Sequence, residues 1–361
     1  MTGTMTWVGL DVHARSTHAA AIDVVTGELT RARFGPGTEP VVAWLARLAA
    51  PVRVVYEAGP TGFGLYRWAR EAGVGVEVVA PGKTARPAGD RVKSDRKDAE
   101  LLARLAMAGQ LRPVAVPDAF VEAARHLTRT REQVRGDLMR ARHRVSKLLL
   151  SLGQVYPGTT TWNRDHRRWL GRQTFEQSAT ELAFIDLLAA VDGLVARKSA
   201  LDERLSRLAR DERLWPTVAR LRAFRGLDTL SALALHLEVG GDWQRFTAPR
   251  RLFAWLGLTP TLEQSGQSRT HGSITKTGSS YARRLLVEAA WHYARHPAIG
   301  ATLANRQAGQ SDHVLAIAWR AQHRLHRLHH RLVDRGKPSK LATVAVAREL
   351  AGFLWAAATA P

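Results

Sequence analysis

Four acidic residues have the types and positions that phosphodiester chemistry requires. Asp11 sits in the apolar run Trp7-Val8-Gly9-Leu10-Asp11-Val12, where a charge is costly unless it is paired or holds a metal. Glu57 closes a second apolar run, Val52 to Tyr56. Asp95 and Asp98 stand three apart in Lys93-Ser94-Asp95-Arg96-Lys97-Asp98-Ala99, a spacing that aims both side chains at one helix face. Carboxylates suit hard divalent cations, and two Mg²⁺ ions about 3.5–4 Å apart can activate a nucleophile and stabilise a leaving oxygen. Each acid also has a plainer reading: strand-end turn residue for Asp11, surface ion pair for Glu57, helix cap for Asp95 and first-turn acid for Asp98. Together, in so basic a chain, they read as a metal site. Asp23 falls near a turn and Glu100 off the Asp95/Asp98 face, so both stay outside it.

Residues 6 to 115 carry the elements that must position these acids. Strands are expected at Trp7–Val12, Ala19–Val25, Leu29–Phe34, Val52–Tyr56 and Val74–Val79, the first three joined as hairpins. Helices are expected over Pro40–Ala49, Gly64–Ala72 and Lys97–Met107. A hairpin sheet continuing into β-α units suggests an α/β RNase-H-like domain. Farther on, Val134, Leu138, Ala141, Val145, Leu148 and Leu152 follow heptad spacing, as do Leu187, Val191, Leu194, Leu201, Leu205 and Leu208. Two long antiparallel helices forming an arm, or ordinary bundle helices, fit this pattern. Pro157–Arg172 reads as the loop or tip between them. Residues 213 to 361 read as mostly helical, with helices over 281–295 and 313–335. Leu221–Asp228 before the apolar helix Leu230–Val239 fits either a helix-hairpin-helix turn offering N–H groups to a phosphate or a helix simply capped by Asp228. Residues 259 to 280, with Gly266, Gly272 and Gly278 six apart, read as a long functional loop.

The charge points to the partner. Lys+Arg 53 against Asp+Glu 32 gives +21, a field suited to a polyphosphate. Between Arg125 and Lys147 stand Arg125, Arg129, Arg131, Arg135, Arg140, Arg142, Arg144 and Lys147, against Glu132 and Asp137 alone. Such density reads as nucleic-acid backbone binding, without separating RNA from DNA. Trp162–Trp169, with Arg164, Arg167 and Arg168, reads either as base-stacking or as a buried tip. His323, His326, His329 and His330 read as a basic helix face, since neither acid nor cysteine completes a metal set. With Cys 0 there are no disulfides, which fits a reducing compartment. No signal peptide or membrane span is expected.

The motifs Gly9-Leu10-Asp11-Val12, Tyr56-Glu57-Ala58-Gly59-Pro60 and Ser94-Asp95-Arg96-Lys97-Asp98-Ala99 resemble those of the DEDD transposases of insertion sequences. The C-terminal half resembles the same family in Pro249–Leu256, Gly257-Leu258-Thr259-Pro260, Ser265-Gly266, Gly272–Gly278 and Arg283-Arg284-Leu285-Leu286. The resemblance implies a RuvC-like catalytic domain over 1–115, a coiled-coil arm for RNA binding and oligomerisation over 116–212, and a mostly α transposase domain over 213–361. It implies a recombinase that cuts and rejoins donor and target DNA under a structured guide, the bridge RNA. The metal is Mg²⁺, two ions, with Mn²⁺ able to substitute, held by Asp11, Glu57, Asp95 and Asp98. Ser265 becomes the nucleophile that forms a phosphoserine–DNA link, with Ser268 and Ser273 as alternatives. In the family the metal site and the serine come from different subunits of a dimer or tetramer. Gln264, where the family often has a second serine, and Ser279, where Asn is common, depart from its pattern. Lys276, Arg283 and Arg284 are expected beside phosphates, and the setting is cytoplasmic, nucleoid-associated and bacterial. The competing readings are a RuvC-like metal nuclease without a covalent step and a non-catalytic nucleic-acid scaffold.

Overall fold

A computed structural model of the chain describes residues 5–80, 94–265 and 268–360. The apolar runs of the first unit, Met1–Val116, become β1 (Thr6–Val12), β2 (Thr17–Asp23), β3 (Leu29–Phe34), β4 (Val52–Glu57) and β5 (Gly75–Val79). Its helices are α1 (Glu39–Leu45), α2 (Gly64–Glu71) and α3 (Asp95–Met107). The sheet order is β3-β2-β1-β4-β5. β1, β2 and β3 pair antiparallel, whereas β4 runs parallel to β1 and β5 parallel to β4. This mixed sheet is consistent with the expected RNase-H-like domain.

Strand alternation sorts the side chains by face. Val8, Leu10, Val54 and Tyr56 pack with Val41, Leu45, Leu65 and Ala69 from α1 and α2. On the other face Val55 and Val79 pack with Leu102 and Ala106 of α3, and Trp7 joins them. Trp7, Gly9 and Asp11 share one parity, as do Val55 and Glu57, so both acids belong to the α3 face. The approach of α3 depends on Gly9. A Cβ there would lie 2.1 Å from the Ala99 carbonyl oxygen and 2.5 Å from the Ala103 nitrogen, and neither backbone atom can move without the helix. Gly9→Val is therefore expected to destabilise this unit by about 3 kcal/mol or more, the upper end of overpacking costs. The urea midpoint of the first unit's transition reads this loss, and an unshifted midpoint contradicts the close-approach account.

In the second unit, Pro117–Pro361, the two heptad stripes lie on α4 (Ala119–Ser151) and α6 (Ser178–Leu208), with α5 (Arg164–Leu170) between them. Arg131 of α4 pairs with Asp202 of α6, while Leu149 shares a core with Phe184 and Val191, so the helices run antiparallel. The buried stripe on α4 is Val134, Leu138, Ala141, Val145 and Leu149. Leu148 is only half-buried and Leu152 is exposed. After Val145 the buried face follows the 3.6-residue helical period and drifts off the strict heptad.

The unit continues with α7 (Trp215–Arg222), α8 (Thr229–Val239), α9 (Pro249–Trp255), β6 (Pro260–Ser265), β7 (Ser268–Ile274), α10 (Ser280–Ala290), a 3₁₀ turn at Trp291–Ala294, α11 (Ala301–Gln307), α12 (Asp312–Asp334) and α13 (Ser339–Ala358). The reading of 259–280 as irregular is corrected: β6 and β7 form an antiparallel hairpin. Evenly spaced glycines suggested a loop, but Gly272 is a strand residue whose Cβ would meet the Thr261 hydroxyl at 2.3 Å. Gly266 lies outside the described residues. By length and composition α13 is apolar enough to cross a membrane, a test that a buried core helix also passes. Its Val346, Ala347, Leu350, Ala351 and Leu354 are buried in the unit's main core with residues of α8 to α10 and α12.

Candidate active site

Asp11 ends β1 beside the N-terminus of α3. Ser94, and not Asp95, caps that helix, with its Oγ accepting from the Lys97 N–H at 3.4 Å. The Asp95 side chain is thereby left for the face it shares with Asp98. His13 joins the two strand- and helix-borne acids: its Nε2 lies 3.1 Å from Asp11 Oδ2 and 3.8 Å from Asp95 Oδ1. One ligand atom from each of Asp11, His13 and Asp95 falls within 4.8 Å of the others, a cluster able to hold a metal ion. His18 Nε2 approaches Asp95 Oδ2 at 3.7 Å. Glu57 is one residue beyond the last β1–β4 register pair, Leu10 with Tyr56, and so ends its strand level with Asp11.

Burial raises the Asp11 carboxyl above its ordinary range; His13 draws it down, and the Asp95 and Asp98 carboxylates push it up again. The net rise marks a place where negative charge is crowded and short of solvent, as a cation site requires. The donor set, carboxylate oxygens with one imidazole nitrogen, suits a divalent cation. His13 was missed as a site residue by sequence reasoning. The signal was Asp-x-His, since residues two apart at a strand end point the same way. The excluded acids serve structure: Glu100 pairs with Arg31 and Arg104, and Asp23 accepts from the Val25 and Thr26 N–H groups.

Ser265 is exposed at the end of β6, in register with Ser268. The hairpin stems from an interlocked base. Gly257 and Gly278 both have positive φ, and a Cβ on either would strike backbone of the other's loop, Thr277 at 2.3 Å or Trp255 at 2.1 Å. Arg283 clasps the two loops, donating from Nη1 to the carbonyls of Leu256 at 3.0 Å, Gly278 at 3.2 Å and Thr277. Lys276 between them is exposed, with φ 55. Ser273 is exposed on β7.

A DEDD transposase model of the IS110 type matches residues 8–154. A second model, the transposase IS116/IS110/IS902 family, matches residues 218–305. Over 359 residues the chain is 38% identical to y4qE of Sinorhizobium fredii, named as a transposase, covering 98% of this chain and 88% of that one. It is 31% identical over 333 residues to the transposase for insertion sequence element IS1533 of Leptospira borgpetersenii, covering 89% and 94% respectively. The chain belongs to the IS110 family of transposases. It is an enzyme, and the family implies DNA substrates that are cut and rejoined; the acid cluster points to a divalent metal.

Several basic residues of this transposase are engaged within its second unit. Arg129 pairs at 2.7 Å with the buried Glu238. Burial alone would raise that carboxyl, but hydrogen bonds from Arg129 and Ser279 hold it below its usual range. Arg125 donates to the Leu237 carbonyl at 2.9 Å, Arg131 pairs with Asp202, and Arg135 and Arg284 share Glu132. Arg140 pairs with Asp137, and the Arg142 guanidinium lies 5.0 Å from the Trp162 ring. Arg144 and Lys147 are exposed. The segment around α5, between α4 and α6, is a small aromatic core: His166 is buried, accepts from the Trp162 N–H at 3.0 Å and stacks on Trp169. Asp228 caps α8 in a reciprocal box with Ser231, while Gly226 packs against Ala289 of α10. On α12, His326 and His330 bond the carbonyls of Tyr293 and Ala294, which ties the helix to the 3₁₀ turn.

Proposed function

We propose that this transposase cuts DNA with a divalent-cation site of Asp11, Glu57, Asp95 and Asp98 and with Ser265 as nucleophile, under the direction of a structured guide RNA. The observation that carries the reading is the meeting of Asp11 with Asp95, through His13, on the α3 face of the sheet. A bound Mg²⁺, or Mn²⁺ in its place, supplies charge stabilisation at the phosphate. Ser265 Oγ forms a bond to phosphorus as the bond to the leaving deoxyribose oxygen breaks. The serine proton passes to solvent and the leaving oxygen takes one up. The phosphoserine ester conserves the phosphodiester for rejoining, so strand exchange needs no nucleotide hydrolysis.

The domain reading is a catalytic unit over 1–115, an arm over 116–212 and a serine-bearing domain over 213–361. The arm serves assembly into a dimer or tetramer: Met139, Leu150, Leu182 and Ile185 are exposed apolar residues of α4 and α6. Arg144 and Lys147, with Arg140 and Arg142 beside them, offer positive charge to RNA, which proteins meet through phosphates and shape. Lys276 presents a further cation near the hairpin that carries Ser265. Purification of the full-length protein from its native host, followed by sequencing of bound nucleic acid, tests the guide. One discrete structured RNA is expected. A spread of unrelated cellular RNA, or none, contradicts guidance.

A further inference from the structure

The second unit contains a cleft of about 800 Å³ whose walls come from α4, the α7–α8 turn, α10 and residues 298–306. That size lies within the range of ligand pockets, about 300–1,000 Å³. Arg131, Arg135, Arg225, Arg284 and Arg306 line it, and the acids among its lining residues are Asp228 and Glu288. Three of the arginines are neutralised: Arg131 by Asp202, Arg135 by Glu132, and Arg284 by Glu132 and Glu288.

The other two make no close ion pair among the described residues. Arg225 uses Nη1 on the carbonyls of His296 at 2.6 Å and Arg295 at 3.3 Å, and has no carboxylate partner among the described residues. Arg306 makes no hydrogen bond or ion pair among the described residues, and its Nε is buried. Asp228 offsets part of the Arg306 charge; its Oδ1 also serves the α8 cap, accepting from the Ser231 N–H and hydroxyl at 2.7 Å each. His292 lines the same cleft. Burial, and then Arg295, Arg225 and Arg306, hold its imidazole below the usual range. A concave surface lined by more cations than acids concentrates positive potential and attracts an anion.

Tyr281 adds an aromatic ring to the wall, with the Arg284 guanidinium 5.3 Å from its centroid. Burial pushes its phenol up to about 12; like any tyrosine it is protonated at neutral pH and can donate that proton. A basic groove with an aromatic platform is how single strands are held without sequence preference.

We propose that this cleft binds a single-stranded nucleic-acid segment, with its phosphates on Arg225 and Arg306 and a base against Tyr281. The inference needs only a nucleic-acid substrate, and neither the guide RNA nor the covalent step.

The test is fluorescence anisotropy on the full-length protein without divalent cations. The probes are labelled oligothymidylate and oligouridylate of roughly 10 nucleotides, a length within known single-strand site sizes. Arg306→Ala is expected to weaken binding about 10-fold and to lower the salt slope by about 0.7, one phosphate contact on a single strand. Tyr281→Leu is expected to cost about 10-fold, within the range for one stacked base. Arg306→Lys, which keeps the charge, should recover most of the affinity. Arg335→Ala, an exposed charge on another surface, should leave it unchanged. Dependence on Arg306 with tighter thymidylate assigns the cleft to a displaced DNA strand, and with tighter uridylate to RNA; both support it. Wild-type affinity in folded Arg306→Ala and Tyr281→Leu proteins overturns it, as does an equal loss in Arg335→Ala. If no discrete RNA co-purifies but oligothymidylate binding depends on Arg306, the cleft stands and the guide falls.

Discussion

Asp11→Asn is expected to lower DNA cutting by about 1,000-fold or more while leaving the protein folded. The change removes an anionic ligand of the Asp11–His13–Asp95 cluster, and charge stabilisation at a phosphate is among the largest single contributions to such rates. Stability should move the opposite way. The Asp11 carboxyl is raised by burial, against His13 and with Asp95 and Asp98, so the folded state prefers it protonated. That penalty is absent in acid and grows as pH rises from the unfolded value through the raised one. At neutral pH the metal-free Asp11→Asn protein should therefore melt at or above the wild-type temperature, while added Mg²⁺ stabilises the wild type and not the variant. Metal and proton compete at Asp11, so Mg²⁺ stabilisation should fade on acidification sooner than an ordinary carboxyl near 3.8 implies. Cutting and Mg²⁺-dependent thermal shifts, measured across pH on both proteins, check this. Full activity in Asp11→Asn removes Asp11 from the reaction.

Ser265→Ala should abolish a protein–DNA adduct that survives denaturing electrophoresis, and reduce recombination by about 10,000-fold, the scale on which loss of a nucleophile acts. RNA and DNA binding should persist, because Ser265 is exposed at a hairpin end and is not part of a packed core. Persistence of the adduct in Ser265→Ala with loss in Ser268→Ala or Ser273→Ala moves the nucleophile along the hairpin. Absence of any adduct in the wild-type protein while DNA is being cut eliminates the covalent step and leaves a metal nuclease.

What the sequence made legible was local. Strands β1 to β5 stood out because short apolar runs alternate with turn residues, Asp11 and Glu57 because charges in or at the end of such runs are costly, and Asp95 and Asp98 because a spacing of three puts them on one helix face. The parity of Gly9, Asp11, Val55 and Glu57 could be read as well, since strand faces alternate strictly. Partners distant in sequence could not be read. Arg129 looked like one more surface cation; its partner Glu238 is 109 residues away and lies on a helix whose pattern is apolar all round. Arg131 and Asp202 are 71 apart. Arg283 was expected beside a phosphate; three backbone carbonyls take its Nη1, and carbonyls leave no trace in residue types. The β6–β7 hairpin was obscured by glycines whose roles differ: Gly278 serves a positive φ, Gly272 a close strand contact.

The missing methyl group at Gly9 has a consequence for how this enzyme can change. The separation of Asp11 from Asp95 is fixed where the backbone of β1 meets the backbone of α3, with no side chain between to act as a shim. Any side chain larger than hydrogen at position 9 would push β1 and α3 apart. A change there acts on the spacing of the ligands as directly as a change of ligand, although residue 9 carries no donor atom of its own.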